Sequence, residues 1–454
     1  MNRITVTKEG APIALGTEKI GKLLMQYAIP AIIAMTASSL YNITDSIFIG
    51  HGVGSMALSG LAITFPLMNL AAAFGSLVGM GAATLLSVRL GQKDYDTANN
   101  ILGNVFVLNL IFGLAYSVVI LLFLKPILYF FGASDSTLPY AYDFMQILLC
   151  GNVFTHMYFG LNAMLRSSGH PQKAMFATIF TVMINLVLNP LFIFGFGWGI
   201  RGSAFATIIS QIIVLLWQIY IFSDRNNFIH LKKGIYRLKK NIVKDSLSIG
   251  MAPFLMNAAS CVIVVLINQG LIRNGGDLAV GAYGIVNRTA FLFVMIVMGV
   301  NQGMQPIAGY NYGAGLYSRV MEVLKKAIII ATVVMATGFL LIELFPHAVA
   351  SVFTTDNELT DLAVMGLRLV FMFYPLIGFQ MVTSTFFQSI GKPGKAIFLS
   401  VTRQVLFLIP CLLILPGLWG INGVWLSMPI ADMVSVIVSL TLLINQIKKL
   451  KNIG

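Results

Sequence analysis

The fold of this chain is decided by residues 168–176, which read SGHPQKAMF and return as IGKPGKAIF at residues 390–398, an offset of 222 positions. Two further pairs keep nearly the same offset: Trp198 with Trp419 at 221 positions, and Pro30 with Pro253 at 223 positions. Chance matches would scatter their offsets, whereas these landmarks keep one order and almost one spacing. The sequence therefore contains two copies of one structural unit.

Long apolar runs surround these landmarks. The chain is 57% hydrophobic and 10% charged, with a mean hydropathy of +0.86, whereas an average soluble chain is about 25% charged. A membrane-spanning helix needs roughly 20 mostly apolar residues. Runs of at least that length without Lys, Arg, Asp or Glu occupy residues 23–44, 46–88, 97–124, 144–165, 174–200, 202–223, 246–272, 289–318, 369–391 and 404–431.

Run length and helix breakers predict an all-α membrane protein with twelve transmembrane helices in two six-helix pseudo-symmetric lobes. A β-barrel would alternate polar and apolar residues, and these runs do not. Six spans per lobe make the lobes parallel repeats, which favour a transporter with alternating access over a channel. The predicted divisions are a cytoplasmic N-terminal segment at 1–19, lobes at 20–224 and 245–447, a basic cytoplasmic linker at 225–244, and a cytoplasmic tail at 448–454.

The net charge of +13 is distributed as membrane topology requires. Most of the 29 Lys and Arg residues lie at the termini and in every second loop, with the largest cluster between Arg225 and Lys244. This is the positive-inside pattern, so we expect a multi-pass protein of the bacterial inner (plasma) membrane with both termini in the cytoplasm. A nucleic-acid site would place aromatic residues among the basic ones or use a recognition fold, so no nucleic-acid partner is expected.

One acid lies inside an apolar span of the first half. Asp45 is near the outer end of the first span and has no basic neighbour in sequence. An ionisable side chain at membrane depth is costly and by default marks a functional site. A carboxylate that exchanges a proton or a sodium ion is what a cation-driven pump needs. The alternative is that Asp45 lies at the lipid–water interface without such a role.

Two asparagines on the fifth span are candidates to share the ion. Asn185 and Asn189 are four residues apart, which places both amides on one helix face, and Pro190 frees a backbone carbonyl beside them. With Asp45 and Thr207 they offer hard oxygen ligands for sodium or a network for a proton. The only metal candidate is thus sodium at Asp45, Asn185 and Asn189. Interhelical hydrogen bonding explains the two asparagines equally well.

The second half does not repeat this acid. Asp45 corresponds to Asn268 at an offset of 223 positions, so ion handling is predicted for the first half alone. The buried charges of the second half are Arg288, Arg403 and Asp432. We expect an Asp–Arg pair there that neutralises itself as a structural contact.

A substrate cavity is predicted from polar or ionisable residues within the spans: Asn152, His156, Asn268, Arg288 and Gln305. A lone histidine at the position of His156 is more often a packed residue than a ligand. Some of the 23 Met and 32 Phe residues would line such a cavity, because Met adapts its shape and aromatic rings attract cations.

These motifs together resemble the multidrug and toxic compound extrusion (MATE) family over about residues 20–447. The resemblance lies in Tyr-Asn-Ile-Thr-Asp at residues 41–45, in Asn-Leu-Val-Leu-Asn-Pro at residues 185–190, and in Trp-Gly-Ile-Arg-Gly-Ser-Ala at residues 198–204. Residues 301–314, NQGMQPIAGYNYGA, carry the most specific similarity and point to the MepA-like branch.

The resemblance implies a secondary antiporter that exports drugs and organic cations in exchange for protons or sodium and needs no cofactor. It implies cation coupling at Asp45, with Tyr41 one turn earlier, Asn185 and Asn189 on the fifth span, and Thr207 on the sixth. Family members carry an acid where this chain has Asn189. The lack of an acid at Asn189 weakens a sodium site, so the resemblance does not decide whether H⁺ or Na⁺ is the coupling ion.

The alternative function is a lipid-linked oligosaccharide flippase of the same superfamily. Such a protein would need a cationic cavity, and Arg288 and Arg403 are the main basic residues at mid-depth. An enzyme is not expected, because no paired carboxylates, metal cluster or nucleophile–base motif occur in one loop. We expect a monomer whose partners are small-molecule drugs and the lipid bilayer.

Overall fold

The computed structural model describes residues 11–452, so the first ten residues of the predicted N-terminal segment and the last two of the tail lie outside it. The described residues form helices joined by turns and contain no β-strand. The helices are α1 (Ala11–Thr17), α2 (Ile20–Gly52), α3 (Ser55–Gly91), α4 (Tyr95–Leu122), α5 (Leu124–Phe130), α6 (Leu138–Ser167), α7 (Pro171–Pro190), α8 (Gly199–Ser223), α9 (Lys240–Gly313), α10 (Tyr317–Leu344), α11 (Pro346–Ser351), α12 (Asn357–Phe371), α13 (Tyr374–Ser389), α14 (Pro393–Val401) and α15 (Ile409–Lys451), with π-helical segments at Leu191–Gly195 and Thr402–Leu408.

The number of spans follows from where these helices break. Within residues 11–452, ten helical stretches are long and apolar enough to cross a membrane. One of them, α9, has 74 residues and breaks at Gly276 (φ 67°, ψ −164°), which divides it into two spans. Helices α12 and α13 form a further span bent by 51°. The described residues thus contain the twelve predicted spans, and the all-α membrane fold is confirmed.

The repeated nonapeptides form the same turn in both sequence halves. Gly169 follows the end of α6 with φ +98°, and Gly391 follows the end of α13 with φ +65°. Glycine adopts this left-handed conformation without strain and commonly ends helices. Pro171 and Pro393 then open α7 and α14, at a position where the missing N–H forfeits no helical hydrogen bond. The motif recurs because the same helix stop and helix start recur.

The chain divides into two compact units. Unit 1 comprises Met1–Lys19, Ile33–Phe254 and Gly309–Ala314, and unit 2 comprises Ile20–Ile32, Leu255–Ala308 and Gly315–Gly454. The boundaries therefore fall inside α2 and α9 rather than in the basic linker. The division into lobes at 20–224 and 245–447 rests on the sequence repeat and stays a prediction.

An apolar cluster in unit 1 fixes the helices that carry the candidate site. It includes Ile49 on α2, Ile193 in the first π-helical segment and Ile200 on α8, all of them buried. Each lies three or four residues from a polar residue of the site described below, in the order Asp45, Asn189 and Ser203. Because an α-helix turns every 3.6 residues, burial of the isoleucines sets the rotation and depth of the neighbouring polar side chains.

Candidate cation-coupling site

Three helix faces of unit 1 bring polar residues to one place. The contributing pairs are Tyr41 and Asp45 on α2, Asn185 and Asn189 on α7, and Ser203 and Thr207 on α8. In each pair the two residues are four positions apart and share one helix face. The structure therefore brings together the five predicted coupling residues and adds Ser203.

Asp45 is the one ionisable acid in this group, and it is buried, with 7% of its surface exposed. Its Oδ1 accepts hydrogen bonds from the Asn189 amide and from the Ser203 hydroxyl, the latter at 2.6 Å. Both donors are neutral, and no basic side chain of residues 11–452 lies within 4.0 Å of this carboxylate. The protein thus hydrogen-bonds the Asp45 carboxylate without neutralising its charge.

Thr207 organises the other half of the site. Its hydroxyl donates to the Ser203 carbonyl oxygen at 3.1 Å, so its one proton is used. The Asn185 amide donates to the Thr207 Oγ1 at 3.3 Å, and the Tyr41 Oη lies 2.8 Å from the same oxygen. Since a hydroxyl has a single proton and two lone pairs, Tyr41 must donate its proton to Thr207. Thr207 therefore orients both Tyr41 and Asn185.

Two amide oxygens of the site are available to a ligand. The Oδ1 atoms of Asn185 and Asn189 are buried and have no hydrogen-bond partner in the described part of the chain. A buried acceptor without a donor is costly, and a small cation satisfies it. Sodium and other hard cations prefer oxygen ligands. The Asp45 carboxylate and these two amide oxygens therefore suit a sodium ion. Among residues 11–452 no group of three or more His, Cys, Asp or Glu forms a metal centre.

A change of helix type follows Asn189 directly. Pro190 ends α7, and Leu191–Gly195 continues as a π-helical segment. Pro190 cannot donate a backbone hydrogen bond, and π-helical turns inside longer helices occur frequently at functional sites. The wider turn changes the direction of the chain directly after Asn189, the residue whose amide donates to Asp45.

Ser203 is the site residue that sequence reasoning missed. It lies in Gly202-Ser203-Ala204, where a small residue reads as ordinary close packing between helices. One signal was available: Ser203 precedes Thr207 by four residues, so both hydroxyls had to share a helix face. Its contact with Asp45 joins residues 158 positions apart, and local sequence cannot specify such a pairing.

Asn152 and His156 of the predicted substrate cavity lie on α6 in unit 1. The Asn152 amide donates to the Gly113 carbonyl oxygen of α4 at 3.4 Å. His156 Nε2 lies 3.0 Å from the Ala71 carbonyl oxygen of α3, so this nitrogen carries the proton. Both side chains join α6 to its neighbours, which is the structural role expected for a packed histidine.

The other three predicted cavity residues lie on α9 in unit 2. Gln305 is buried and Asn268 is half-buried. Arg288 is exposed, so the prediction that it is a buried charge was wrong. The set is thus divided between the two units, and a common substrate cavity stays a prediction.

Unit 2 contains a buried aspartate that forms an ion pair with an arginine. Arg403 Nε donates to Asp432 Oδ1 at 2.7 Å, and 8% of the Asp432 side chain is exposed. Arg403 is the second residue of the second π-helical segment, which begins at Thr402. Of the two arginines considered from the sequence, Arg403 therefore pairs with Asp432, as expected for a self-neutralising contact.

A histidine in the loop between α6 and α7 is excluded as a proton sensor. His170 lies directly before Pro171, outside the spans. Burial, together with the nearby charge of Lys173, lowers the pKa of His170 to about 4. The ring is therefore neutral at physiological pH, and it does not compete with the α2–α7–α8 site as a titrating group.

Comparisons with known proteins agree with this architecture. The MatE family profile matches residues 30–191 and 249–413, one segment in each sequence half. A multidrug export protein MepA of Staphylococcus haemolyticus (strain JCSC1435) is 29% identical over 415 residues, covering 91% of each chain. A MepA protein of Staphylococcus aureus (strain MSSA476) is 27% identical over 411 residues, covering 90% of each chain.

Solved structures are similar over almost the whole length. An outward-facing structure of a multidrug resistance MATE family transporter of the MOP superfamily has a TM-score of 0.90 and 26% identity, covering 97% of this chain and 98% of the other. A MATE structure in a bent conformation has a TM-score of 0.91 and 25% identity, with the same coverage. With two repeats of six spans, a profile match in each half and this structural similarity, the chain belongs to the MatE (MATE) family of membrane transporters.

Proposed function

We propose that this protein is a secondary multidrug antiporter that exports organic cations and exchanges them for protons or sodium by alternating access. The observation that carries the proposal is the Asp45 carboxylate, which is buried within a membrane-spanning helix. Among residues 11–452, its hydrogen-bond donors are the neutral side chains of Asn189 and Ser203. The MepA relatives are multidrug export proteins by name, which supports the export of drugs and favours it over the flippase alternative.

The coupling rests on the cost of an uncompensated charge. An ionised carboxylate away from water is strongly disfavoured unless a cation or proton joins it. A monovalent cation on Asp45 removes that cost, and the free oxygens of Asn185 and Asn189 add ligands if the cation is sodium. One carboxylate with one charge gives a site for a single proton or a single sodium ion per cycle. The energy of that ion moving inward would drive the substrate outward.

The test is transport by purified protein in liposomes. Ethidium efflux is followed under an imposed proton gradient and, separately, an imposed sodium gradient. We expect one gradient to accelerate efflux and Asp45→Asn to reduce it to the level of empty liposomes. The matched control is Asp135→Asn, since Asp135 is an exposed acid of the same unit, hydrogen-bonded to Tyr129. Efflux that ignores both gradients, or that survives Asp45→Asn, would refute the proposal.

We further place the protein in the bacterial plasma membrane as a monomer with both termini in the cytoplasm. The alternation of basic and neutral loops supports this orientation. Single cysteines introduced at Lys233 and at Ser136 test it with a membrane-impermeant maleimide on intact cells. We expect labelling at position 136 and protection at position 233; the reverse pattern would invert the topology.

A further inference from the structure

A second polar site lies in unit 1, at the start of α9. A cavity of about 300 Å³ opens there, with Leu85 and Ile242 as its apolar floor. Its polar wall consists of the basic side chains of Arg89, Lys239 and Lys240. Asp245 also lines the cavity and is the one acid that does so. Three positive charges and one negative charge therefore line a small cavity that is open on one side.

Arg89 has unused hydrogen-bonding capacity in this cavity. Its NH1 donates to the Gln92 Oε1 at 3.1 Å, and Asp94 lies 3.9 Å away, at the limit of an ion pair. Its Nε is buried and has no hydrogen-bond partner among residues 11–452. A guanidinium presents five N–H donors in a planar fork that matches the oxygens of a phosphate group. Because this Nε is closed to solvent, the donors that Arg89 offers to a ligand are in the accessible part of its side chain, of which 35% is exposed.

The N-terminus of α9 lies at the same cavity. Lys239 precedes the first residue of α9 in an extended conformation (φ −99°, ψ 117°), and no side chain caps this helix. The first N–H groups of α9 belong to Lys240, Asn241 and Ile242, which all line the cavity. Uncapped N–H groups and the positive end of the helix dipole favour an anion at this position.

The backbone of the linker is held in place beside the cavity. The Asn104 side chain on α4 accepts from the Lys239 N–H at 3.0 Å and donates to the Arg237 carbonyl oxygen at 3.0 Å. The Asn99 side chain, also on α4, accepts from the His230 N–H at 3.0 Å. The backbone of linker residues 230–239 is thus fastened to α4, so the backbone that carries Lys239 does not have to be ordered when a ligand binds.

We propose that this cavity, named here the linker cavity, binds a phosphate group, carried either by an anionic phospholipid or by a soluble phosphate ester. Arg89, the two lysines and the α9 N-terminus provide charge and donors for phosphate oxygens. Basic cavities beside membrane helices recognise lipid headgroups in this way. The apolar side chains of Leu85 and Ile242 suit the first part of a lipid acyl chain, and the site is separate from the Asp45 site.

The experiment measures binding to the full chain purified in detergent. Native mass spectrometry and thermal unfolding compare dioleoylphosphatidylglycerol with dioleoylphosphatidylcholine. In parallel they compare inorganic phosphate and glycerol 3-phosphate with chloride at equal ionic strength. We expect a preference for the phosphate-bearing anions. Binding of phosphatidylglycerol alone identifies a membrane lipid as the source, whereas binding of the soluble phosphates identifies a soluble ester.

Four variants test whether the linker cavity is responsible. Arg89→Gln and the exposed Lys240→Gln should each weaken binding about tenfold, as expected for one charge-assisted contact. Asp245→Asn should strengthen binding, because it removes the one opposing charge. Lys233→Gln is the control, since it removes a positive charge from the same linker outside the cavity. The proposal is overturned if neither phosphate source is preferred, or if Lys233→Gln weakens binding as much as Arg89→Gln.

Discussion

In the part of the chain that the structure describes, each unit of this transporter buries one carboxylate within a membrane-spanning helix, and the two are held in different ways. Asp45 in unit 1 accepts hydrogen bonds from Asn189 and Ser203, which carry no charge. Asp432 in unit 2 accepts a hydrogen bond from Arg403 at 2.7 Å and forms an ion pair with it. Burial is nearly equal, with 7% of Asp45 and 6% of Asp432 exposed.

The difference shows that burial alone does not make an acid available for ion coupling. An arginine keeps its proton under all physiological conditions, so Asp432 already has a permanent counter-ion. A proton or sodium ion arriving there would have to displace that arginine. Asp45 has only dipoles around it, and an incoming cation gains the full interaction with its charge. In the proposed function, the duplicated scaffold therefore has one acid that exchanges an ion, Asp45, whereas Asp432 forms a structural ion pair.

The strongest test makes Asp45 resemble Asp432 by supplying it with a permanent cation. Asn189→Lys places an ammonium where the amide now contacts Asp45. We expect gradient-driven ethidium efflux to fall to background, because the lysine occupies the position of the transported ion. Asn189→Met is the control for side-chain length without charge and should keep more activity. Equal activity of the two variants would mean that the charge of Asp45 is not what couples transport.

The converse test removes the counter-charge in unit 2. Asp432→Asn leaves Arg403 partly buried without its partner and should destabilise the protein by about 1–3 kcal/mol, since 27% of the Arg403 side chain remains exposed. Thermal unfolding in detergent measures the loss. The double variant Arg403→Gln/Asp432→Asn should regain part of it, and gradient dependence should persist in both. Loss of coupling in a stably folded Asp432→Asn protein would make unit 2 a second coupling site.

A smaller effect is expected at Ser203. Ser203→Ala removes one of the two donors to Asp45. The driving-ion concentration for half-maximal efflux should shift by about tenfold, because the free energy of one hydrogen bond to a charged group corresponds to such a change. If protons drive transport, the shift is toward lower proton concentration, because the charged carboxylate loses stabilisation. Ser203→Thr keeps the hydroxyl and should restore the original value. An unchanged half-maximum in Ser203→Ala would assign Ser203 to packing.

The smallest effect is expected at Thr207. Thr207→Val is nearly isosteric and leaves the Tyr41 hydroxyl and the Asn185 amide without their acceptor. We expect the free energy of unfolding to fall by about 1 kcal/mol. The maximal rate of efflux should drop modestly, and the driving-ion concentration for half-maximal efflux should stay unchanged. Unfolding and efflux assays on one preparation separate the two effects. A shifted ion dependence would show that Thr207 contacts the ion itself.

The spans and most residues of the candidate coupling site could be predicted from the sequence, because both depend on local periodicity. Uncharged runs of about 20 residues specify spans, and spacings of four residues specify helix faces, which paired Asn185 with Asn189 in advance. The repeated Gly and Pro of residues 168–176 and 390–398 marked helix ends that the structure shows as the same turn. In these cases the residues that interact are close in the chain.

Contacts between residues that are far apart in the chain could not be predicted from the sequence. The bonds from Ser203 to Asp45 and from Lys239 to Asn104 join residues 158 and 135 positions apart, and no periodicity encodes them. The linker was expected from its charge alone, whereas in the structure α4 fastens it and a cavity forms beside it. The bend of 51° between α12 and α13 was missed for another reason: one uncharged run covers it, and hydropathy does not register direction.

The boundaries of the two units have a consequence for biosynthesis. Ile20–Ile32 leaves the ribosome long before Leu255, yet it belongs to unit 2, whose other residues begin at Leu255. The first half of α2 must therefore wait in the membrane until more than 220 further residues have been made. Two fragments separated in the linker would each lack a segment that their unit requires. Co-expression of both fragments should then be needed for either to escape degradation by membrane quality control.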